Sequence, residues 1–287
     1  MPLPTTITLV EVSPRDGLQN EKKIVPTDIK LKLINLLADS KLTVIEATSF
    51  VSPKWVPQLA DHTELLEKLR PKPGVRYPVL VPNQKGLQEA LAAGAKALAV
   101  FAAASETFSK KNINASIAES LTRYKTVIAT AKQQGCWVRG YISCVIGCPY
   151  EGEILPEAVA KVAESLFKFG CDEISLGDTI GIGTPDKIIA MINTVAKYVP
   201  VEKLALHCHD TYGHALENIE AALKFGIRVF DASVTGLGGC PYAKGATGNV
   251  ATEKVLALFT DLNIETGVDK EKLLKAGKFI RNYLDKT

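Results

Sequence analysis

His207 and His209 are spaced by two, so on an extended strand both imidazoles face the same side. Cys208 between them then points the other way, toward covering helices, where a thiol packs as a small hydrophobe. Two imidazoles on one face form either a metal chelate or a hydrogen-bonded pair. The chain has only 4 histidines and three of them fall within His207 to His214, which favours the chelate. Oxygen partners are available in Asp16, after the first predicted strand, and in Asn249 of Gly245-Ala246-Thr247-Gly248-Asn249. A mixed nitrogen and oxygen set with open positions suits Mg2+ or Mn2+ acting on a bound substrate. Zinc fits geometrically, but no thiolate set points to it, and Cys144 and Cys148 lack the second pair of a structural zinc site.

A second concentration of chemistry is Ser233-Val234-Thr235-Gly236-Leu237-Gly238-Gly239-Cys240-Pro241-Tyr242. Glycines let such a loop bend sharply and approach a ligand, which presents Cys240 to whatever the loop encloses. The plainer alternative is a hinge with an incidental thiol. Arg15 is either a barrel-closing salt-bridge partner or a cation that stabilises a developing enolate more than its parent carbonyl. Glu46 is a buried partner for Arg15 or a tuning carboxylate, and the two roles are compatible. Glu11, Gln19, Asp178 and Glu253 are expected to stand behind the ligands and orient them. Lys22 and Lys111 could meet an anionic ligand, with Arg15, Ser49 and Asn112 as further substrate contacts; solvated lysines are the plainer account of the first two. Neither Gly236-Leu237-Gly238-Gly239-Cys240-Pro241 nor Gly181-Ile182-Gly183 is a dinucleotide fingerprint, because each lacks the third glycine, and there is no P-loop.

Side chains so far apart in sequence need a scaffold that brings them together. Short β-rich runs recur at Ile7–Val12, Val44–Ala47, Tyr77–Val81, Ala97–Phe101, Val138–Cys144, Glu173–Leu176, Leu204–His207 and Val229–Val234. Amphipathic stretches lie between them, among them Thr27–Ala38, Ile117–Gln134, Pro156–Lys168, Pro185–Val199 and His214–Phe225. Strands alternating with helices predict a parallel sheet, and eight such units predict a closed α/β barrel, a single (β/α)8 TIM barrel of about 250 residues. Thr184-Pro185-Asp186 reads as a helix start, and Gly170 and Gly226 fall where helices should stop. Glu271–Tyr283 adds a helix after the eighth unit. No linker or composition shift divides residues 1–287, so one catalytic domain is expected. In such barrels the site lies after the carboxyl ends of the strands. Arg15-Asp16 follow strand one, Glu46 and Ser49 belong to strand two, Asp178 follows strand six, His207 and His209 strand seven, and the glycine loop strand eight.

The 287 residues are 46% hydrophobic and 23% charged, with a formal net charge of +3. That charge is small and the basic residues are scattered, which argues against a nucleic-acid partner. No apolar run reaches the roughly 20 residues that span a bilayer, and no membrane partner is expected. The amino terminus has neither a signal peptide nor an Arg-rich transit peptide, and the carboxyl end carries no peroxisomal signal. With no secretory signal, the 6 cysteines read as reduced thiols, so a cytoplasmic location is expected.

Taken together, the motifs resemble those of the 3-hydroxy-3-methylglutaryl-CoA lyases, metal-dependent carbon–carbon lyases that share an Arg-Asp element after strand one. Here that element is Arg15-Asp16-Gly17-Leu18-Gln19-Asn20-Glu21. The likeness runs through Glu46-Ala47-Thr48-Ser49-Phe50-Val51-Ser52-Pro53, Lys111-Asn112-Ile113-Asn114 and Gly147-Cys148-Pro149-Tyr150-Glu151-Gly152. It continues in Ser175-Leu176-Gly177-Asp178-Thr179, His207-Cys208-His209-Asp210-Thr211-Tyr212-Gly213 and the glycine–cysteine loop, the most specific of these. Gln19 matches the lyase branch; the wider superfamily usually has Glu there. The resemblance implies retro-Claisen cleavage of an acyl-CoA, 3-hydroxy-3-methylglutaryl-CoA, to acetyl-CoA and acetoacetate, in leucine degradation. It implies Mg2+ or Mn2+ on Asp16, His207, His209 and Asn249, with Asp16 or His207 taking the hydroxyl proton. Arg15 would stabilise the enolate, Cys240 would transfer a proton, and the partner state could be a homodimer. A lyase for a bulkier homologue, such as an isoprenoid-substituted one, is the alternative.

Overall fold

The computed structural model describes residues 3–238 and 248–285. Its strands are β1 (Thr8–Glu11), β2 (Val44–Ile45 and Thr48–Ser49), β3 (Pro78–Leu80), β4 (Ala97–Ala103), β5 (Trp137–Ser143), β6 (Glu173–Asp178), β7 (Leu204–Cys208) and β8 (Val229–Ala232). They pair in parallel in chain order, and β8 returns to β1 through Thr8↔Val229 and Glu11↔Ala232. Closure depends on β2, which changes partner midway. Val44–Ile45 pairs with β1 and Thr48–Ser49 with β3. The residues between continue the ladders, Glu46 N donating to the Glu11 carbonyl at 2.9 Å and Ala47 N to the Pro78 carbonyl at 2.9 Å. The α/β barrel expected from the alternation is therefore present. A short antiparallel pair, Gly147–Cys148 with Gly152–Glu153, decorates the loop after β5.

Helices α1 (Thr27–Asp39), α2 (His62–Lys68), α3 (Gln84–Ala92), α4 (Glu106–Ile113), α5 (Ile117–Gln133), α6 (Pro156–Phe169), α7 (Pro185–Val195), α8 (Ala215–Phe225), α9 (Thr252–Asp261) and α10 (Lys270–Leu284) cover the outside. Local chemistry sets their ends. Ser116 and Glu119 form a reciprocal cap at the start of α5, while α6 and α7 begin on proline, which has no N–H to leave unpaired there. Gly170 (φ 107°) and Gly226 (φ 133°) stop α6 and α8 in conformations that a side chain would oppose. Helix α7 ends at Val195, short of the Val199 expected from periodicity; a turn follows, with Tyr198 N donating to the Val195 carbonyl at 2.9 Å, and Pro200 keeps the residue before it from extending the helix.

Outward strand residues such as Val100, Val138, Ile174, Leu206 and Phe230 pack against Leu33, Val127, Leu166, Ile192 and Phe259 of the helices. Each large apolar side chain buried this way contributes about 1.5–3 kcal/mol. The barrel interior is polar in its middle layer: Arg139 of β5 and Asp231 of β8, both fully buried, meet at 2.6 Å, and Ser175 Oγ donates to Asp231 at 3.0 Å. Among the described residues no helix is long and apolar enough to cross a membrane.

Candidate active site

The chain leaves β1 through a π-helical turn, Ser13–Gly17, in which Gly17 N reaches back five residues to the Val12 carbonyl at 3.1 Å. Such wide turns recur at functional sites because they re-aim side chains. This one turns Arg15 and Asp16 into the barrel mouth. Arg15 Nε donates to Glu46 Oε2 at 2.8 Å and Nη1 to Asp16 Oδ1 at 2.6 Å. The guanidinium also lies 5.6 Å from the centre of the Tyr141 ring. Burial works against its charge, but Glu46 and Asp16 outweigh that and hold it protonated.

Asp16 is the hinge of the cluster. Burial alone would push its carboxyl up, but Arg15, His207, His209 and the Asn249 amide together pull it well below the usual carboxylate range. Asn249 Nδ2 donates to Asp16 Oδ2 at 2.7 Å and to the Leu237 carbonyl at 3.1 Å. Its nitrogen is thus engaged twice, and any ligand role falls to Oδ1. Asp16, His207 and His209 bring one ligand atom each within 4.8 Å of one another. As the spacing predicts, the two imidazoles are neighbours, with ring centres 5.3 Å apart, and Cys208 is buried among core side chains.

The two histidines differ in charge preference. Burial and the neighbouring His207 push His209 down to about 4, so it is neutral near pH 7. Burial also disfavours a charge on His207, yet the hydrogen bond and charge of Asp231 raise it above its ordinary value. Asp231, which sequence reasoning missed, accepts from His207 Nδ1 at 3.2 Å and from Arg139 Nη2 at 2.6 Å. It sits directly across the ladder from His207. The available signal was an ionisable residue inside the β-branched run Val229–Val234, on the strand pairing with that of His207.

The donor chemistry fits a divalent cation. With Nδ1 of His207 held by Asp231, its Nε2 is left for a ligand; His209 Nδ1 is buried and has no hydrogen-bond partner. One carboxylate and two imidazoles, with Asn249 beside them, form the mixed set that hard or borderline ions accept.

The remaining predicted residues separate. Glu11, fully buried, and Glu253, half-buried, are anchors of chain segments and do not touch the ligands. Glu11 accepts from Ser13 N (3.0 Å), Val234 N (2.9 Å) and Thr252 Oγ1 (2.7 Å), and Glu253 accepts from Thr235 N at 2.9 Å. Asp178 accepts from Gly183 N at 2.7 Å and so braces the loop after β6; the imidazole-orienting carboxylate is Asp231 instead. Gln19, Lys111 and Asn112 line a cavity of about 710 Å3 above the cluster, together with Asn20, Asn83 and Arg123. Ser49 is fully buried with Oγ accepting from Val51 N at 3.2 Å, and Lys22 is exposed; neither lines the cavity. Cys240 lies outside the described residues.

Fold and site together define a class, an enzyme on a (β/α)8 barrel whose mouth gathers a carboxylate, two imidazoles and a buried guanidinium beneath an open cavity. More narrowly, the chain belongs to the HMGL-like family, whose model matches residues 6–280. It is 58% identical to the cytoplasmic 3-hydroxy-3-methylglutaryl-CoA lyase of Rattus norvegicus, across 99% of this chain and 83% of that protein. It is also 58% identical to the mitochondrial hydroxymethylglutaryl-CoA lyase of Bos taurus, across 99% of this chain and 87% of that one. The crystal structure of hydroxymethylglutaryl-CoA lyase from Pseudomonas aeruginosa superposes with a TM-score of 0.97 at 55% identity, covering 100% of this chain and 96% of that one.

Proposed function

We propose that this chain, as a single catalytic domain, cleaves 3-hydroxy-3-methylglutaryl-CoA to acetyl-CoA and acetoacetate with Mg2+ or Mn2+ bound. The observation that carries this is the juxtaposition of Asp16, His207 and His209 with the Arg15 guanidinium at the floor of the cavity. Breaking the carbon–carbon bond requires an alkoxide at the tertiary carbon and a stabilised thioester enolate as leaving fragment. The cation, held by Asp16, His207, His209 and Asn249, would lower the pKa of the substrate hydroxyl.

The protein's own groups supply the rest. His207 has one ring nitrogen tied to Asp231, so its other nitrogen cannot both hold a cation and take a proton. Asp16 has a second carboxylate oxygen, but Oδ1 accepts from Arg15, Oδ2 accepts from Asn249, and its carboxyl is held well below the usual range, so the hydroxyl proton is assigned to Asp16 or His207 without a choice between them. Arg15, fixed by Glu46, presents a preorganised positive charge to the enolate oxygen. Lys111, Asn112 and Arg123 line the cavity, which supports a role for them in meeting the acyl-CoA. Cys240 is proposed to return a proton to the enolate carbon. A cytoplasmic location and a place in leucine degradation belong to the same proposal; the 5 described cysteines, all free and buried, support a reducing compartment. Acetoacetate release from 3-hydroxy-3-methylglutaryl-CoA, assayed with Mg2+, Mn2+ or chelator, tests it.

A further inference from the structure

We infer that α10 sets the geometry of the ligand cluster, with Arg281 as a positioning residue that acts through Thr235; this rests on the metal-dependent reading above. Helix α10 follows the eighth strand–helix unit, so barrel closure does not account for it. Thr235, just past β8, has φ 58°, a conformation that a β-branched residue strongly resists. Such a residue persists only where its surroundings over-determine it. Here Arg281 Nε donates to Thr235 Oγ1 at 2.9 Å and Nη2 to its carbonyl at 2.8 Å. From α9, both Glu253 carboxylate oxygens accept from Thr235 N at 2.9 Å. Gly277 of α10 packs so closely that a Cβ there would come within 2.8 Å of Thr235 Cγ2.

The residues held this way lead straight to the cluster. Leu237 and Gly238, two and three residues on, offer their carbonyls to Asn249 Nδ2 and Asn249 N, each at 3.1 Å. Gly238 (φ 101°) allows the approach, since a Cβ would lie 2.5 Å from Asn249 Nδ2. Asn249 Nδ2 then bonds Asp16 Oδ2. The path thus runs from Arg281 to Thr235 by hydrogen bonds, along the backbone through Gly236 to Leu237, and by hydrogen bonds through Asn249 to Asp16. The same helix end also takes hold of the β1 side, where Lys23 Nζ donates to the Tyr283 carbonyl at 2.7 Å. The helix thus contacts the Thr235 side directly and the segment that follows the Asp16 turn at Lys23.

The test uses the full chain, with Mn2+ titrated in the absence of substrate and turnover measured in parallel. Arg281→Ala is expected to weaken Mn2+ binding about tenfold and to lower kcat by a similar factor, with KM changed less than about twofold. Arg281→Lys, which keeps a donor to Thr235, should recover most of both. In a Thr235→Gly background glycine adopts the positive φ freely, so Arg281→Ala should cost less there. Wild-type Mn2+ affinity and kcat in Arg281→Ala, with only a lower Tm, would overturn the inference, as would an equal loss in both backgrounds. Should Arg281→Ala fail to fold, Arg281→Gln, which keeps the length but loses the two-pronged grip on Thr235, decides: several-fold weaker Mn2+ binding supports the brace, and unchanged binding overturns it. Because Mn2+ binding needs no substrate, a wild-type protein that holds Mn2+ but leaves 3-hydroxy-3-methylglutaryl-CoA intact overturns the functional reading and not this one.

Discussion

His207 Nδ1 lies 3.2 Å from Asp231 Oδ2, and Asp231 is itself held by the fully buried Arg139. This fixes which imidazole nitrogen carries the proton and which one faces the cluster. Asp231→Asn keeps the shape but weakens the grip on Nδ1–H, and it leaves the Arg139 charge uncompensated by Asp231. Mn2+ affinity should fall about 10–100-fold, with a loss of stability of about 3–5 kcal/mol from the broken buried pair. Calorimetric Mn2+ titration and thermal melts check both; unchanged affinity would show that Asp231 serves the core alone.

Arg15 is pinned between Glu46 and Asp16. Arg15→Gln should fold and retain Mn2+, yet lose at least about 10²–10³-fold in kcat with little change in KM, the pattern of an interaction made mainly in the transition state. Early melting with near-normal turnover would instead mark Arg15 as a structural salt-bridge partner.

Burial raises the Glu11 carboxyl from 4.5 to about 7 despite the bonds it accepts from Ser13, Val234 and Thr252. The folded state therefore holds this proton more tightly than the unfolded chain does. The associated stability is complete below about pH 4.5 and is lost as pH rises through about 7. Relative to Glu11→Gln, which has no proton to lose, the wild type should lose on the order of 5 °C in Tm between pH 5 and pH 8. Parallel Tm profiles for the two proteins would contradict this.

Cys240→Ser should keep Mn2+ and substrate affinity but turn over far more slowly, because a hydroxyl is much less acidic than a thiol of pKa about 8.5. Brief iodoacetamide treatment should label Cys240 ahead of Cys208 and Cys171, both buried, and substrate should protect it. Wild-type turnover in the serine variant would rule out an essential thiol.

Much of the barrel was legible because strand and helix periods differ and the capping residues mark boundaries. Gly170, Gly226 and Pro185 stand where the helices end or begin. The facing histidines followed from the two-residue period of a strand, and Arg15 beside Glu46 from their positions after adjacent strands. Residue pairs whose meaning depends on register across the barrel were not legible. Asp231 reads as an ordinary strand residue until the β7–β8 register sets it opposite His207. Asp178 and Ser49 lie after or within the expected strands, yet their polar atoms turn to the local backbone, a choice set by loop conformation. The partner switch of β2 at Glu46-Ala47 is likewise invisible in composition, because it arises from closing the sheet.

The central claim is tested most directly by incubating the purified protein with 3-hydroxy-3-methylglutaryl-CoA, with Mg2+ or Mn2+ and with chelator, and quantifying acetoacetate and acetyl-CoA. The account predicts equal amounts of the two products, formed with added cation and abolished by chelator, and no turnover by His207→Ala or Asp16→Ala under the same conditions. Product formation that persists undiminished in those two variants, or no cleavage of this thioester with either cation, would contradict it.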